Sequence, residues 1–517
     1  MKSLVVLGVF AAAGCNQILG LEPTVPIDAG QPPDAPLPIA RLTWLVADTD
    51  AAGVPLPAPL LTPMDPAPTV QVGRIDGPLT ATTYLPDGSF EIPADFPGTP
   101  WRVVYEVPGA ATPVEVQWTT SSDRIPHLTE PFIGHLPRMP LPSLASAMAV
   151  TPTGAGVSFS SARVAFTGVW GDSPTTSAVG TTLTFNLNNV LPFTGPTGAP
   201  EPTRGDRAVV LNYLAVVEPS ANANCQRASG GTLFELAPTA GTVAVAPAWF
   251  DRVTSTEPFA TVTNTDFGRA VRAGTAFTKL VPETEVFTQG LAYGRSTALN
   301  VPLFARRRAP GDIRMPAMVA LYECDVPPPR FSVSVQTVSI NASPFIQYPG
   351  LGVAWFSMSR AIEGTALRLT YGYVGAVASA SSTYTLDTPA ALATPPYMLD
   401  TTDLAAADHV ALLAGTGPLT LTFGMVPVQG NDDSVDTSDY YEIVLHRVTA
   451  TSISPVRMFR VLGRSVSIDR SLLSTGTEYV FELRSFAGAP QAQVADFTTY
   501  TVPQSQGVMY TRTFIAR

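Results

Sequence analysis

Trp101-Arg102-Val103-Val104-Tyr105-Glu106-Val107, followed shortly by Val114-Glu115-Val116-Gln117-Trp118, decides the fold class. In the first stretch Trp101, Val103, Tyr105 and Val107 fall on one side of an extended chain, with Arg102 and Glu106 on the other. In the second, Val114, Val116 and Trp118 share a side, and Glu115 and Gln117 point outward. A period of two is the pattern of half-buried β-strands. Pro86-Asp87-Gly88 and Pro97-Gly98 lie nearby as turns.

The rest of the chain agrees. Its 517 residues exceed one ordinary core, so three to four domains are expected. Hydrophobic residues make up 45%, enough to fill folded cores, which excludes wholesale disorder. The 51 prolines are about twice the usual share. Proline removes a helix donor and clashes with the preceding turn, whereas loops between strands accept it. The expected class is all-β: several β-sandwich modules in tandem, of immunoglobulin or fibronectin type.

Charged residues are only 14%, and the net charge is −11. Lysine occurs only as Lys2 and Lys279; arginine supplies the other basic residues. An acidic, diffuse balance lacks the basic footprint that phosphate backbones require, so nucleic acid is not expected as a partner. Arg306-Arg307-Arg308 is the one basic run, placed before Ala309-Pro310-Gly311. It reads as a solvated loop, or more sharply as a contact for phosphate groups on a lipid or glycan surface.

Met1-Lys2-Ser3 and the apolar run Leu4–Ala13 have the form of a secretory signal, too short to span a bilayer. Ala12-Ala13-Gly14-Cys15 resembles the lipobox of bacterial lipoproteins, with Ala12 where leucine is commoner. That resemblance implies residues 1–15 as a signal ending at an acylated Cys15, palmitate among the acyl chains, and a lipid-anchored place in the bacterial envelope. Asn16, in place of aspartate, implies sorting to the outer membrane, facing either the periplasm or the outside. Two or three acyl chains hold a protein durably where one does not. Residues 16–39, rich in Pro, Ala and Asp, read as an extended tether.

Two further cysteines, Cys225 and Cys324, read as a disulfide, the usual fate of an isolated pair in an exported protein.

Residues 40–145 form the first expected sandwich. Thr83-Tyr84-Leu85-Pro86-Asp87-Gly88-Ser89-Phe90-Glu91-Ile92 resembles the hairpin of carboxypeptidase-regulatory-like, transthyretin-type sandwiches, which implies a structural or adhesive module. Residues 146–326 read as a β-rich domain with the disulfide, its strands at Arg163–Trp170, Thr181–Leu187 and Asp206–Glu218. Pro327-Pro328-Pro329 marks a boundary. Residues 327–400 are a further sandwich or a continuation of the preceding domain, with strands at Phe331–Ile340, Gly352–Met358 and Ala366–Val374.

Residues 401–517 form the last module. Strands are expected at Leu419–Phe423, Tyr440–Arg447, Val456–Val461, Ser465–Ile468 and Tyr479–Ser485. Leu473-Ser474-Thr475-Gly476-Thr477-Glu478-Tyr479 resembles the loop entering the sixth strand of a fibronectin type III domain. The resemblance implies a core-plugging Leu473 and a corner-forming Tyr479. Thr475 stands where proline is usual, and Phe423 where tryptophan is. Leu404–Leu413 is the one stretch with a helical reading, and it fits a linker or first strand equally.

Motifs for chemistry are sparse. His127, His135, His409 and His446 make no metal-binding spacing, and the first two are expected in proline-rich loops. No nucleophile elbow, phosphate loop or dinucleotide fingerprint occurs, and no catalytic residue is singled out. Asp432, Asp433, Asp436 and Asp439 supply the oxygens calcium would need, though without EF-hand spacing; a solvated loop is the plainer reading. Asp48-Thr49-Asp50 offers less, and Arg204-Gly205-Asp206 carries no weight. No other cofactor is expected. The expectation is a non-enzymatic envelope or surface lipoprotein that binds or scaffolds through its modules, with envelope proteins or glycans as partners. The alternative is an envelope polysaccharide hydrolase with two carboxylates in the middle region.

Overall fold

The computed structural model describes residues 39–46, 60–93, 100–107, 112–118, 127–132, 147–151, 162–166, 171–173, 177–179, 181–186, 191–192, 207–218, 223–235, 243–245, 250–251, 286–296, 306–307, 314–315, 318–325, 350–379, 393–412, 414–425, 438–497 and 504–517. Strands dominate, and the described residues contain no α-helix, only short 3-10 turns at Arg470–Leu472 and Pro490–Val494.

The alternating stretches of the first span build two sheets. One is β1 (Ile39–Val46), flanked by β2 (Leu60–Pro63), β5 (Ser89–Glu91) and a parallel β8 (His127–Phe132). The other runs β4 (Thr80–Thr82), β3 (Thr69–Arg74), β6 (Trp101–Glu106), β7 (Val114–Trp118). Between them lie Leu42, Trp44, Phe90, Val103, Tyr105 and Val116, with Trp101 stacked on Trp118 at 4.3 Å between ring centres. The turn into β5 needs Gly88, whose φ is 84°, a left-handed value that costs other residues. Asp87 Oδ1 caps that turn by accepting from the Ser89 N–H at 3.0 Å.

Two expectations for this span need correction. Glu115 and Gln117 do not face solvent; all five residues of β7 are buried. The strand Ile453–Val461 pairs in parallel along β7, and Ser467 of a second sheet lies over its other face. His127 opens β8 and does not sit in a loop.

The middle strands form one antiparallel run. It passes from Ala162–Phe166 through Arg207–Glu218, Ala223–Glu235, Met318–Asp325 and Val286–Ser296 to Gly350–Ala361 and Arg368–Ser379. Arg368–Ser379 then pairs with Gln504–Tyr510 of the last span. From there the sheet continues through Glu478–Ala487, Tyr440–Val448 and Ile453–Val461 into β7, β6, β3 and β4. The sheet therefore joins middle, last and first spans in that spatial order. The expected strand Phe331–Ile340 lies outside the described residues.

In the last span a second sheet, Thr402–Asp403, Ala393–Leu399, Leu419–Met425 and Ser465–Ile468, covers one face of the long sheet. Leu399, Leu421, Ile443, Leu445, Phe459 and Leu483 fill the layer between. Phe423 meets Tyr441 edge-on at 5.0 Å. The first strand of this sandwich is Ala393–Leu399, ahead of residue 401.

Leu404–Leu413 is not a helix where it is described. Thr402–Asp403 and Val410–Leu412 are short strands joined by bends, and His409 has φ 62°, which no right-handed helix tolerates. Leu404 and Leu412 are both buried, the spacing that made the stretch look helical.

Candidate functional site: a buried charge ladder at a module seam

On the Tyr440–Val448 strand, Tyr441, Ile443 and Leu445 enter the sandwich core, so Tyr440, Glu442 and His446 must face the other way. The register sets Arg460 against Glu442 from one neighbour and Arg484 against it from the other. This face is not solvated: Glu442, Arg460, Glu482 and Arg484 are all buried, as is Glu130 of β8.

The charges are satisfied by one another. Tyr105 Oη donates to Glu130 Oε1 at 2.5 Å. Arg460 donates to both carboxylate oxygens of Glu130, at 3.2 Å from Nη2 to Oε2, and reaches Glu442 Oε1 through Nε at 3.2 Å. Arg484 Nη1 takes the other oxygen of Glu442 at 3.3 Å, and its Nε takes Glu482 Oε1 at 2.6 Å. His446 Nε2 closes the row on Glu482 Oε2 at 2.8 Å. A removed partner would leave an uncompensated charge in a medium of low polarity, so the row holds as a unit.

The protonation states follow. Burial alone would raise the Glu482 carboxyl, but Arg484 and His446 hold it well below the usual range. Burial opposes the Arg460 charge, yet Glu130, Tyr105 and Glu442 hold its proton more firmly than usual. Tyr105 is pushed well up by burial and by the Glu130 charge, so it stays a donor. Glu482 is thus fixed as an ionised, paired acceptor. The ladder can clamp; it is not arranged to pass a proton to an outside molecule.

Its position gives it consequence. Glu130 and Tyr105 belong to the first span, whereas Arg460, Glu442, Arg484, Glu482 and His446 belong to the last. Beside them Tyr440 stacks on Phe486 at 4.6 Å and packs with Phe497 in the core of the first sandwich. On the opposite sheet face, Gln117 donates to the Ser467 carbonyl at 2.6 Å and accepts from the Ser467 N–H at 2.9 Å. Arg102 pairs with Glu115 at 3.3 Å.

A second buried pair, Arg360 with Asp408 at 2.5 Å, ties the middle strands to the C-terminal segment. Asp408 also accepts from the Thr513 N–H at 3.0 Å. Despite burial, Arg360 and the N–H groups of Thr513 and Glu363 hold its carboxyl low.

The residues singled out from sequence fall elsewhere. Tyr479 is fully buried; its hydroxyl accepts from the Ser474 N–H at 2.8 Å and faces the Leu472 carbonyl at 3.4 Å, while Leu473 packs against the core. Cys225 is buried and lies directly opposite Cys324 in the register of adjacent antiparallel strands. Asp439 Oδ2 accepts from the Ala489 N–H at 2.7 Å, a structural task. Asp432, Asp433 and Asp436 lie outside the described residues, as do Cys15, His135, Asp48-Thr49-Asp50 and Arg204-Gly205-Asp206. His409 bridges Glu478, at 2.7 Å, and the Glu363 carbonyl, at 3.2 Å. In the middle region Glu323 is taken by Arg163 at 2.5 Å. Among the described residues no three His, Cys, Asp or Glu side chains are grouped to hold a metal.

Sequence reading missed Glu130, Glu442, Arg460, Glu482 and Arg484. Glu482 and Arg484 alone carry a signal, two charges two positions apart on a strand whose intervening residues are apolar, and that pattern reads as a solvated face; Glu130, Glu442 and Arg460 stand among apolar neighbours on their own faces.

No protein-family model matches the chain, and no curated protein matches it.

Proposed function

We propose that this chain is a lipid-anchored scaffold of the bacterial envelope, non-enzymatic, with Cys15 acylated and the β-sandwich modules holding a fixed binding surface away from the membrane. The observation that carries this reading is the seam: the first and last spans share one sheet, one aromatic core and one charge ladder. A platform built that way keeps its faces in fixed relation, which a presenting or spacing protein needs. The last span supports a fibronectin type III-like module, with three main strands facing four and a tyrosine hydroxyl tied to the loop before it. The first span is read in the same way as a transthyretin-like module, from two four-stranded sheets packed over a shared core.

A disulfide between Cys225 and Cys324 belongs to the same reading. Directly opposed residues in an antiparallel pair have Cα atoms about 4.5–5.5 Å apart, inside the span a disulfide bridges. The intact, unreduced protein should weigh two hydrogens less than its reduced form.

Metabolic labelling with palmitate tests the anchor. Label in the wild-type protein that disappears in Cys15→Ala, with the variant shifting to the soluble fraction, is the expected result. Equal labelling of both would remove the proposal.

A further inference from the structure

Arginines do not lie where the sequence suggests. Arg306–Arg307, expected in a loop, is a short strand paired with Arg314–Met315. Arg102, Arg360, Arg460 and Arg484 are buried, and Arg457 keeps 14% of its side chain exposed. For three of these the fold supplies full partners: no buried nitrogen of Arg360, Arg460 or Arg484 lacks an acceptor. Asp408, Glu130, Glu442 and Glu482 provide the carboxylates.

Arg102 and Arg457 break that pattern. Arg102 Nε, Arg457 Nε and Arg457 Nη1 are buried and find no acceptor among the described residues. The two guanidiniums flank one buried carboxylate, Glu115. Its Oε1 is taken by Arg102 Nη1 at 3.3 Å and Gln117 Nε2 at 2.7 Å, while Oε2 stands 3.9 Å from Arg457 Nη1, beyond hydrogen-bond reach. Asp469 comes within 3.7 Å of Arg102 Nη2, but its side chain is 43% exposed and its Oδ1 already accepts from the Ser471 N–H. The buried part of the cluster therefore holds two positive charges and one negative. Burial, with Arg102 adding to it and Glu115 opposing, loosens Arg457's hold on its proton, whereas Arg360, Arg460 and Arg484 hold theirs more firmly than usual. A buried charged donor without a partner is costly, and a carboxylate is the acceptor that suits a guanidinium fork.

We propose that Arg102 and Arg457 form a receptor for the carboxylate of a small organic acid, entering where Arg457 reaches the rim of the sandwich. One negative charge balances the buried cluster. A dianion would overshoot, because Glu106, which is exposed, and Asp469 both lie close enough to act on Arg457. Arg102 belongs to the first span and Arg457 to the last, so the bound carboxylate would tie the two sandwiches together across the sheet from the charge ladder.

The test follows acetate binding to the full chain by saturation-transfer NMR at constant ionic strength. Acetamide serves as the uncharged isostere and sulfate as a competing dianion. Saturable acetate binding is expected, with no binding of acetamide and only weak competition by sulfate. Arg457→Met should weaken acetate about tenfold or more, the worth of one charge-assisted contact. In urea the same variant should be as stable as the wild type, since a poorly partnered buried charge gives way to an apolar chain. Glu115→Gln is the second probe and decides the matter if R457M does not fold. It removes the competing carboxylate and should tighten acetate about tenfold, whereas a merely loosened fold would weaken it.

Lack of saturable acetate binding overturns the proposal, as does equal binding in R457M or no tightening in E115Q. Equal binding of acetamide, or sulfate outcompeting acetate, does the same, because the site is then not one for a single carboxylate charge. Acylation plays no part in these measurements, so a negative palmitate result would sink the anchor at Cys15 without touching this outcome.

Discussion

Glu130 shows how one side chain can hold two distant parts of a chain together. Its carboxylate is fully buried and meets Arg460 and Tyr105, so removing its charge leaves Arg460 to share Glu442 with Arg484 in a nonpolar seam. Glu130→Gln should cost about 3–5 kcal/mol, the range for breaking one side of a buried pair. Urea unfolding will measure it, and Arg460→Met added to Glu130→Gln should recover part of the loss. Equal, additive losses would mean the two do not act as a pair. Tyr479→Phe is milder: the Ser474 N–H it serves is exposed and water can replace it, so about 1 kcal/mol is expected from the same measurement. Acid acts on the same groups. Glu482 and Asp408 are both held low when folded, so they stabilise above their ordinary values, 4.5 and 3.8, and that stability goes as pH falls further. Burial, only partly offset by Arg102, raises Glu115 and works the other way there. Unfolding midpoints should therefore hold from pH 7 to about 5 and drop below about 4.5. Glu482→Gln should start lower and fall less steeply; parallel acid limbs would deny Glu482 its part.

Strands were the legible part of this chain. Alternation placed Tyr440–Arg447 within one residue of the observed Tyr440–Val448, and Ser465–Ile468 without error, because side-chain period survives in sequence whatever the partners. Pairing partners did not survive in the same way. Nothing in Val114–Trp118 says that Ile453–Val461 lies beside it, since strand edges carry no address beyond the pattern of their side chains. The outward reading of Glu115 and Gln117 failed for that reason: a polar residue on one strand face looks the same whether water or Ser467 is its partner. The charge ladder escaped by the same route, since Arg460 and Arg484 meet Glu442 only once both registers are known. Leu404–Leu413 misled in the opposite direction, because an eight-residue spacing of buried leucines fits a helix as well as two short strands. At this level Gln117→Leu is the informative change. It keeps the volume on β7 but leaves the Ser467 N–H and carbonyl without the amide, so hydrogen exchange at Ser467 should rise while the far middle strands stay unchanged. Equal protection in both proteins would mean that Gln117 does not hold that sheet edge.

The long sheet makes the chain's two ends depend on each other. Tyr440, Phe486 and Phe497 of the last span are part of the hydrophobic core that Leu42, Trp44, Phe90 and Trp101 build in the first. Burying one such aromatic is worth about 1.5–3 kcal/mol, so losing all three removes much of what a small domain has to spare. The edge of β7 would also lie open, and an unpaired strand edge invites association with other chains. A fragment of residues 39–132 should therefore show no cooperative melt alone and should aggregate. Mixing it with residues 393–517 should restore a sharp transition, because Glu130 then finds Arg460 and the parallel pairing of Val114–Val116 with Met458–Arg460 can form. If the short fragment melts cooperatively by itself, the first sandwich is a free-standing module and the seam only docks it. If neither fragment nor mixture folds, the middle strands that pair with Gln504–Tyr510 are needed too, and the sheet folds as one unit from Arg368–Ser379 outward.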